Sequence, residues 1–136
     1  LAIATNLPIS YALFAILVAA ATVEEIAKSA GIAVLVEHRI VASSRQVIAL
    51  AFLSALGFLV GEKLLLFVSL SVVAQTALSA ALFNTGFLIV PLVAHFVFTT
   101  IVCLLNARFR VRYPFALLAA VVVHSAYNLL LAGGLQ

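Results

Sequence analysis

Very little of this sequence could face water, and that limits the fold more than any other feature. Apolar residues run with few breaks from Ile9 to Val36, from Gln46 to Val72, up to Leu105, and from Pro114 to Ala132. The chain is 67% hydrophobic and 8% charged, whereas a soluble domain carries about 25% charged residues. A helix needs about 20 apolar residues to cross a bilayer. The pattern therefore predicts an all-α membrane protein with a core bundle of four transmembrane helices. They form one polytopic membrane domain over residues 1–136, with spans near 9–36, 46–72, 87–106 and 114–132. The polar-speckled segment Ala74–Gly86 reads as a loop or an interfacial turn.

Punctuation and charge refine this layout. Pro114 suits a helix start, and Gly133-Gly134 suits a helix end. His38, Arg39 and Arg45 flank the first loop, and Arg108, Arg110 and Arg112 flank the last. The positive-inside rule puts both loops on the cytoplasmic side. That requires two spans between them and sends both chain ends outward. A multi-pass protein of the cell (plasma) membrane is expected. The net charge of +3 then reports topology, and no nucleic-acid partner is expected. Cys103 is the single cysteine, so no intrachain disulfide forms, and its apolar setting reads as packing. With no Met anywhere, the sequence is expected to be a core or a piece of a longer chain. The first apolar run is too long for a signal peptide.

Five charged residues interrupt the apolar runs: Glu24, Glu25, Lys28, Glu62 and Lys63. A charge at mid-bilayer costs roughly 2.5–3.5 kcal/mol on insertion scales, so a buried cluster marks a functional site by default. His95 and His124 lie in the other two runs. At 1.5 Å of helical rise per residue, Glu24, Glu62, His95 and His124 all fall roughly 15–25 Å from the basic loops. Four helices thus place their polar residues in one slab. Glu24 and Lys28 share a helix face at i,i+4, and Glu25 reaches Lys28 at i+3. Two adjacent carboxylates in a low dielectric cannot both ionise cheaply, and a raised acid suits general acid–base work near neutral pH. His124 and Asn128 are also i,i+4. Gly57 and Gly61 have the small-xxx-small spacing that lets helices approach closely.

Four short patterns occur in order on the four runs. Glu24-Glu25-Ile26-Ala27-Lys28 reads E-E-x-x-K, and Gly57-Phe58-Leu59-Val60-Gly61-Glu62 reads G-F-x-x-x-E. Pro91-Leu92-Val93-Ala94-His95 is followed by Phe98-Thr99, and His124-Ser125-Ala126-Tyr127-Asn128 reads H-x-x-x-N. In this order they resemble the PrsW family of intramembrane proteases. That family is related to the CAAX-prenyl proteases and to the anterior-pharynx-defective subunit of gamma-secretase. The prenyl-protease branch fits less well, because Ser29 and Glu62 stand where it has Arg and His. Lys63 follows Glu62 where the family often has Glu-Asn.

The resemblance implies hydrolysis of peptide bonds in membrane-protein substrates. Glu24 or Glu25 would activate water as the general base. His95 and His124 would bind that water, or a metal holding it. Asn128 would donate to the developing oxyanion, Lys28 would set the carboxylate charge, and Glu62 would be a ligand or proton donor. If a metal is required, Glu25, His95 and His124 form a zinc-type set with one position open for water. A metal-free site is equally consistent with these residues. Two other functions stay open: a non-enzymatic scaffold that keeps the cluster structurally, and a proton-coupled carrier, against which the lack of internal repeats counts.

Overall fold

The computed structural model describes residues 11–70 and 85–134. Four helices occupy them: α1 (Tyr11–Glu37), α2 (Ser44–Leu70), α3 (Thr85–Ala107) and α4 (Tyr113–Gly134). The described fold is all-helical. The loop expected over Ala74–Gly86 lies outside the described residues except for Thr85 and Gly86, which open α3. Pro91 sits inside α3, where it withholds one backbone donor from the helix.

Three helices are long and apolar enough to cross a membrane, over Ser44–Val68, Leu88–Ala107 and Tyr113–Leu131. The 27-residue α1 is as long as α2 but is not among them. Its middle carries Glu24, Glu25 and Lys28, and only a partner inside the bundle makes such a helix tolerable in lipid. Outward-facing apolar side chains such as Ile16, Leu65, Val122 and Leu130 are exposed, as expected where lipid and not water surrounds the helices.

The bundle closes on small residues. Val47, Ala51, Ala55 and Leu59 are buried along one face of α2, each four residues from the last, which is one stripe of a helix. The close approach expected at Gly57 and Gly61 is made here instead. A Cβ at either glycine would meet nothing within 4 Å, so neither is needed for contact. One apolar cluster joins Ile32, Val47 and Cys103 across α1, α2 and α3, and a second joins Val102, Ala116 and Ala120 across α3 and α4. Both lie toward the end of the bundle that carries the basic loops, so they hold that end together.

Those loops have defined caps. Ser43 and Gln46 form a reciprocal cap on α2: the Gln46 amide donates to Ser43 Oγ at 3.2 Å, and the Ser43 amide donates to Gln46 Oε1 at 3.3 Å. This satisfies two otherwise unpaired groups at the helix start. The ends of α1 and α3 match each other. Arg39 and Arg110 adopt left-handed backbone at φ 58° and 54°, and amides just beyond them reach back to Leu35 and Leu105 carbonyls. A side chain in this conformation costs about 1–2 kcal/mol. Arg39→Gly is accordingly expected to stabilise lipid-free, detergent-solubilised protein by about 1 kcal/mol, read as a higher melting temperature.

Candidate active site

Each helix contributes polar residues to one cluster. Glu24, Glu25 and Lys28 come from α1, Glu62 from α2, His95 from α3 and His124 from α4. Glu25 and Lys28 are buried, at 0% and 2% exposure, as are His95 and His124. Glu24 and Glu62 sit at its edge, with side chains 30% and 42% exposed.

The α1 spacing left two partners possible for Lys28, and it takes Glu25. Lys28 Nζ donates to Glu25 Oε1 at 2.5 Å, so the i,i+3 pair forms and the i,i+4 pair with Glu24 does not. The same ammonium lies 3.0 Å from His95 Nδ1 and 4.8 Å from the centre of the Phe58 ring, a cation–π contact. Ser54 Oγ donates to the Lys28 carbonyl at 2.7 Å, tying α2 to α1 at this level. Ser29 Oγ donates to the Glu25 carbonyl at 2.5 Å and lies 3.0 Å from the Tyr113 hydroxyl, which links the same turn to α4.

The histidines connect these acids. An ammonium can only donate, so His95 Nδ1 accepts from Lys28 and its Nε2 carries hydrogen. That Nε2 faces Glu62 Oε2 at 3.3 Å, and Lys63 also donates to Glu62, at 3.2 Å. His124 Nδ1 lies 2.8 Å from Glu25 Oε1. A carboxylate on Nδ1 fixes the proton there and leaves Nε2 with its lone pair. Nε2 points toward Glu24 Oε2, 3.7 Å away. The Phe98 ring stacks on His124, with centroids 4.7 Å apart and 25° between planes, so the imidazole cannot swing away. The two histidine rings are 6.0 Å apart.

Glu24 therefore differs from the other acids: its carboxylate accepts no hydrogen bond among the described residues. Glu25 Oε2 is buried without a partner, although Oε1 serves both Lys28 and His124. Asn128, one turn beyond His124, is half-buried, and its amide makes no hydrogen bond among the described residues. Thr99 and Ser125 also bury hydroxyls without a partner.

Donor atoms of Glu24, His95 and His124 lie within 4.8 Å of one another. The carboxylate of this set is Glu24; Glu25, expected there from the sequence, instead holds the far nitrogen of His124. A ligand histidine whose other nitrogen bonds a carboxylate is the usual arrangement around zinc. Two ligands at 2.0–2.1 Å on a tetrahedral ion lie roughly 3.4 Å apart, close to the 3.7 Å between Glu24 Oε2 and His124 Nε2. His124 and Glu24 thus fit a divalent ion as they stand. His95 fits once it releases Lys28 or Glu62.

A family model described as PrsW family intramembrane metalloprotease matches residues 2–135. The chain belongs to the PrsW family. No curated protein and no solved structure matches it. Membership supports protease activity in the membrane, acting on membrane-protein or peptide substrates. Within this cluster of the PrsW-family chain, three contributors carried no role in the sequence: Phe98 against His124, Ser54 on the Lys28 carbonyl, and Tyr113 on Ser29. Phe98 had a weak signal, its place one turn after His95. Ser54 and Tyr113 had none, because each acts across helices.

Proposed function

We propose that this PrsW-family chain is a four-span endopeptidase of the cell membrane, with its basic loops cytoplasmic, in which Glu24 activates the attacking water. The observation that carries this reading is the Glu24 carboxylate, which accepts no hydrogen bond among the described residues and faces His124 Nε2 at 3.7 Å. A water between them is held by both groups, and Glu24 takes its proton as the hydroxide attacks the peptide carbonyl. Asn128 donates to the oxyanion that forms. Glu24 then passes that proton to the leaving amine, while Glu62 accepts from His95 Nε2 and from Lys63 and holds the His95 ring in place. Glu25 orients His124, and Lys28 neutralises Glu25 while fixing the His95 tautomer.

Glu24, His95 and His124 would hold a divalent ion such as Zn2+. When bound, it would lower the pKa of water toward neutrality and polarise the substrate carbonyl. Metal analysis of purified protein is expected to find about one zinc per chain, as a single three-ligand catalytic site holds, and none in His124→Ala. A metal-free protein that cleaves at full rate would assign the water chemistry to Glu24 without metal.

The direct test is cleavage of a single-span membrane substrate by purified protein in liposomes. Asn128→Ala is expected to slow turnover by about 10²–10³, the loss for one oxyanion donor, with KM little changed. An Asn128→Ala protein as fast as the parent would return Asn128 to a helix-packing role. Failure of the parent to cleave any single-span substrate would favour the scaffold function.

A further inference from the structure

Away from the Glu/His cluster, a cavity of about 540 Å³ lies between the α1–α2 and α3–α4 connections. Arg39, Arg110 and Arg112 line it, together with Glu37 and Asn106. Two other pockets, by contrast, are lined almost wholly by apolar side chains. None of the three arginines forms an ion pair among the described residues, although Glu37 shares the cavity with them. The site thus keeps an excess of two positive charges over its one carboxylate. Left-handed backbone at both Arg39 and Arg110 holds long cationic side chains where glycine would be easier, a cost that clusters at ligand clamps.

The remaining polar groups complete the pattern. Asn106 Nδ2 donates to the Val111 carbonyl at 3.2 Å, which fixes the orientation of the amide. Its Oδ1 is buried with no partner among the described residues, so the amide shapes the cavity wall and its oxygen stays out of a ligand's reach. Guanidinium groups suit phosphate oxygens, whereas the exposed Glu37 carboxylate suits hydroxyl donors. The cavity also sits just beyond Ala107 and before Ser44 and Tyr113, the ends of the three apolar spans. A bilayer crossed by those spans would put its headgroups at this level.

We propose that this cavity binds the headgroup of an anionic phospholipid carrying a phosphodiester and free hydroxyls, of the phosphatidylglycerol type. The arginines take the phosphate, and Glu37 takes the hydroxyls. The site clamps the α1–α2 and α3–α4 connections to one lipid and so anchors the loop end of the bundle at the membrane surface. Nothing in this binding depends on the peptidase chemistry.

Native mass spectrometry of the full detergent-solubilised chain tests it, with phosphatidylglycerol, phosphatidylcholine and phosphatidylmethanol as titrants. Phosphatidylglycerol is expected to bind at least tenfold tighter than phosphatidylcholine, and tighter than phosphatidylmethanol, whose phosphodiester lacks a hydroxyl. The double variant Arg110→Gly/Arg112→Ala is expected to weaken phosphatidylglycerol about thirtyfold, from about 1 kcal/mol for each basic residue removed. Phosphatidylcholine binding and helix content should not change, and glycine relaxes the backbone at position 110, so the fold is spared. Equal binding of phosphatidylglycerol and phosphatidylcholine, or an unaffected double variant, would overturn the site. Equal binding of phosphatidylglycerol and phosphatidylmethanol would overturn the role of Glu37. Displacement of the lipid by millimolar inorganic phosphate would overturn the lipid assignment in favour of free phosphate.

Discussion

Glu24→Gln is expected to lower cleavage of a single-span substrate by about 10³-fold or more while leaving the helical bundle intact. General-base catalysis contributes about 10²–10⁴ in rate, and a carboxamide keeps the shape of Glu24 without its proton affinity. The stability of the bundle should change little, because the Glu24 carboxylate accepts no hydrogen bond among the described residues and its side chain is 30% exposed. His124→Ala should be as inactive, since it removes the Nε2 lone pair that faces Glu24. Rates from purified protein in liposomes, set beside melting curves of the same samples, check both effects. A Glu24→Gln protein with near-parent turnover would move the base to Glu25, whose Oε2 is buried and unpartnered.

Breaking the Glu25–Lys28 pair should do the reverse and act first on stability. Both side chains are fully buried and 2.5 Å apart. Glu25→Ala strands an ammonium in the bundle with only His95 and the Phe58 ring beside it. Removing one partner of a buried ion pair costs about 3–5 kcal/mol. Glu25→Ala and Lys28→Ala are therefore expected to lower the melting temperature sharply in detergent. The double variant Glu25→Leu/Lys28→Met removes both charges and should recover most of the loss, since apolar replacement of a buried pair is often neutral or better. It should remain impaired in cleavage, because His124 loses the carboxylate on Nδ1 and His95 loses its donor. A double variant as unstable as the sum of the singles would show that the two residues do not stabilise each other.

These two experiments separate roles that the primary structure could not. Glu24 and Glu25 are neighbours of identical chemistry, and helical spacing lets either reach Lys28. The choice rests on helix rotation within the bundle. Glu25 points to the interior at 0% exposure, where it meets Lys28 and the His124 ring from α4. Glu24, about 100° around the helix, is left at the edge with open lone pairs. No local rule decides which of two adjacent residues faces inward when the surrounding helix is apolar on every side. The glycines of α2 show the same limit. Gly57 and Gly61 have the spacing of a close helix contact, yet the contact runs along Ala51 and Ala55, the stripe that also presents Val47 and Leu59.

Much was determined by the sequence alone, because lipid leaves few options. Long apolar runs can satisfy their backbone only as helices or barrels, so helical content and the order of the helices followed from composition and length. Charges and histidines in those runs had to meet one another, since each alone is costly. Counting 1.5 Å per residue from the basic loops put the acids and histidines of all four runs at similar depth, and the PrsW resemblance followed from the same residues. Tertiary structure decided what depth cannot. It decided the rotation that gives Lys28 to Glu25, the Phe98 ring that pins His124, the Ser54 and Tyr113 contacts between helices, and the arginine-lined cavity formed where two loops distant in sequence come side by side. Depth is a property of one helix and can be counted along the chain; rotation and loop proximity are set only when helices pack against one another.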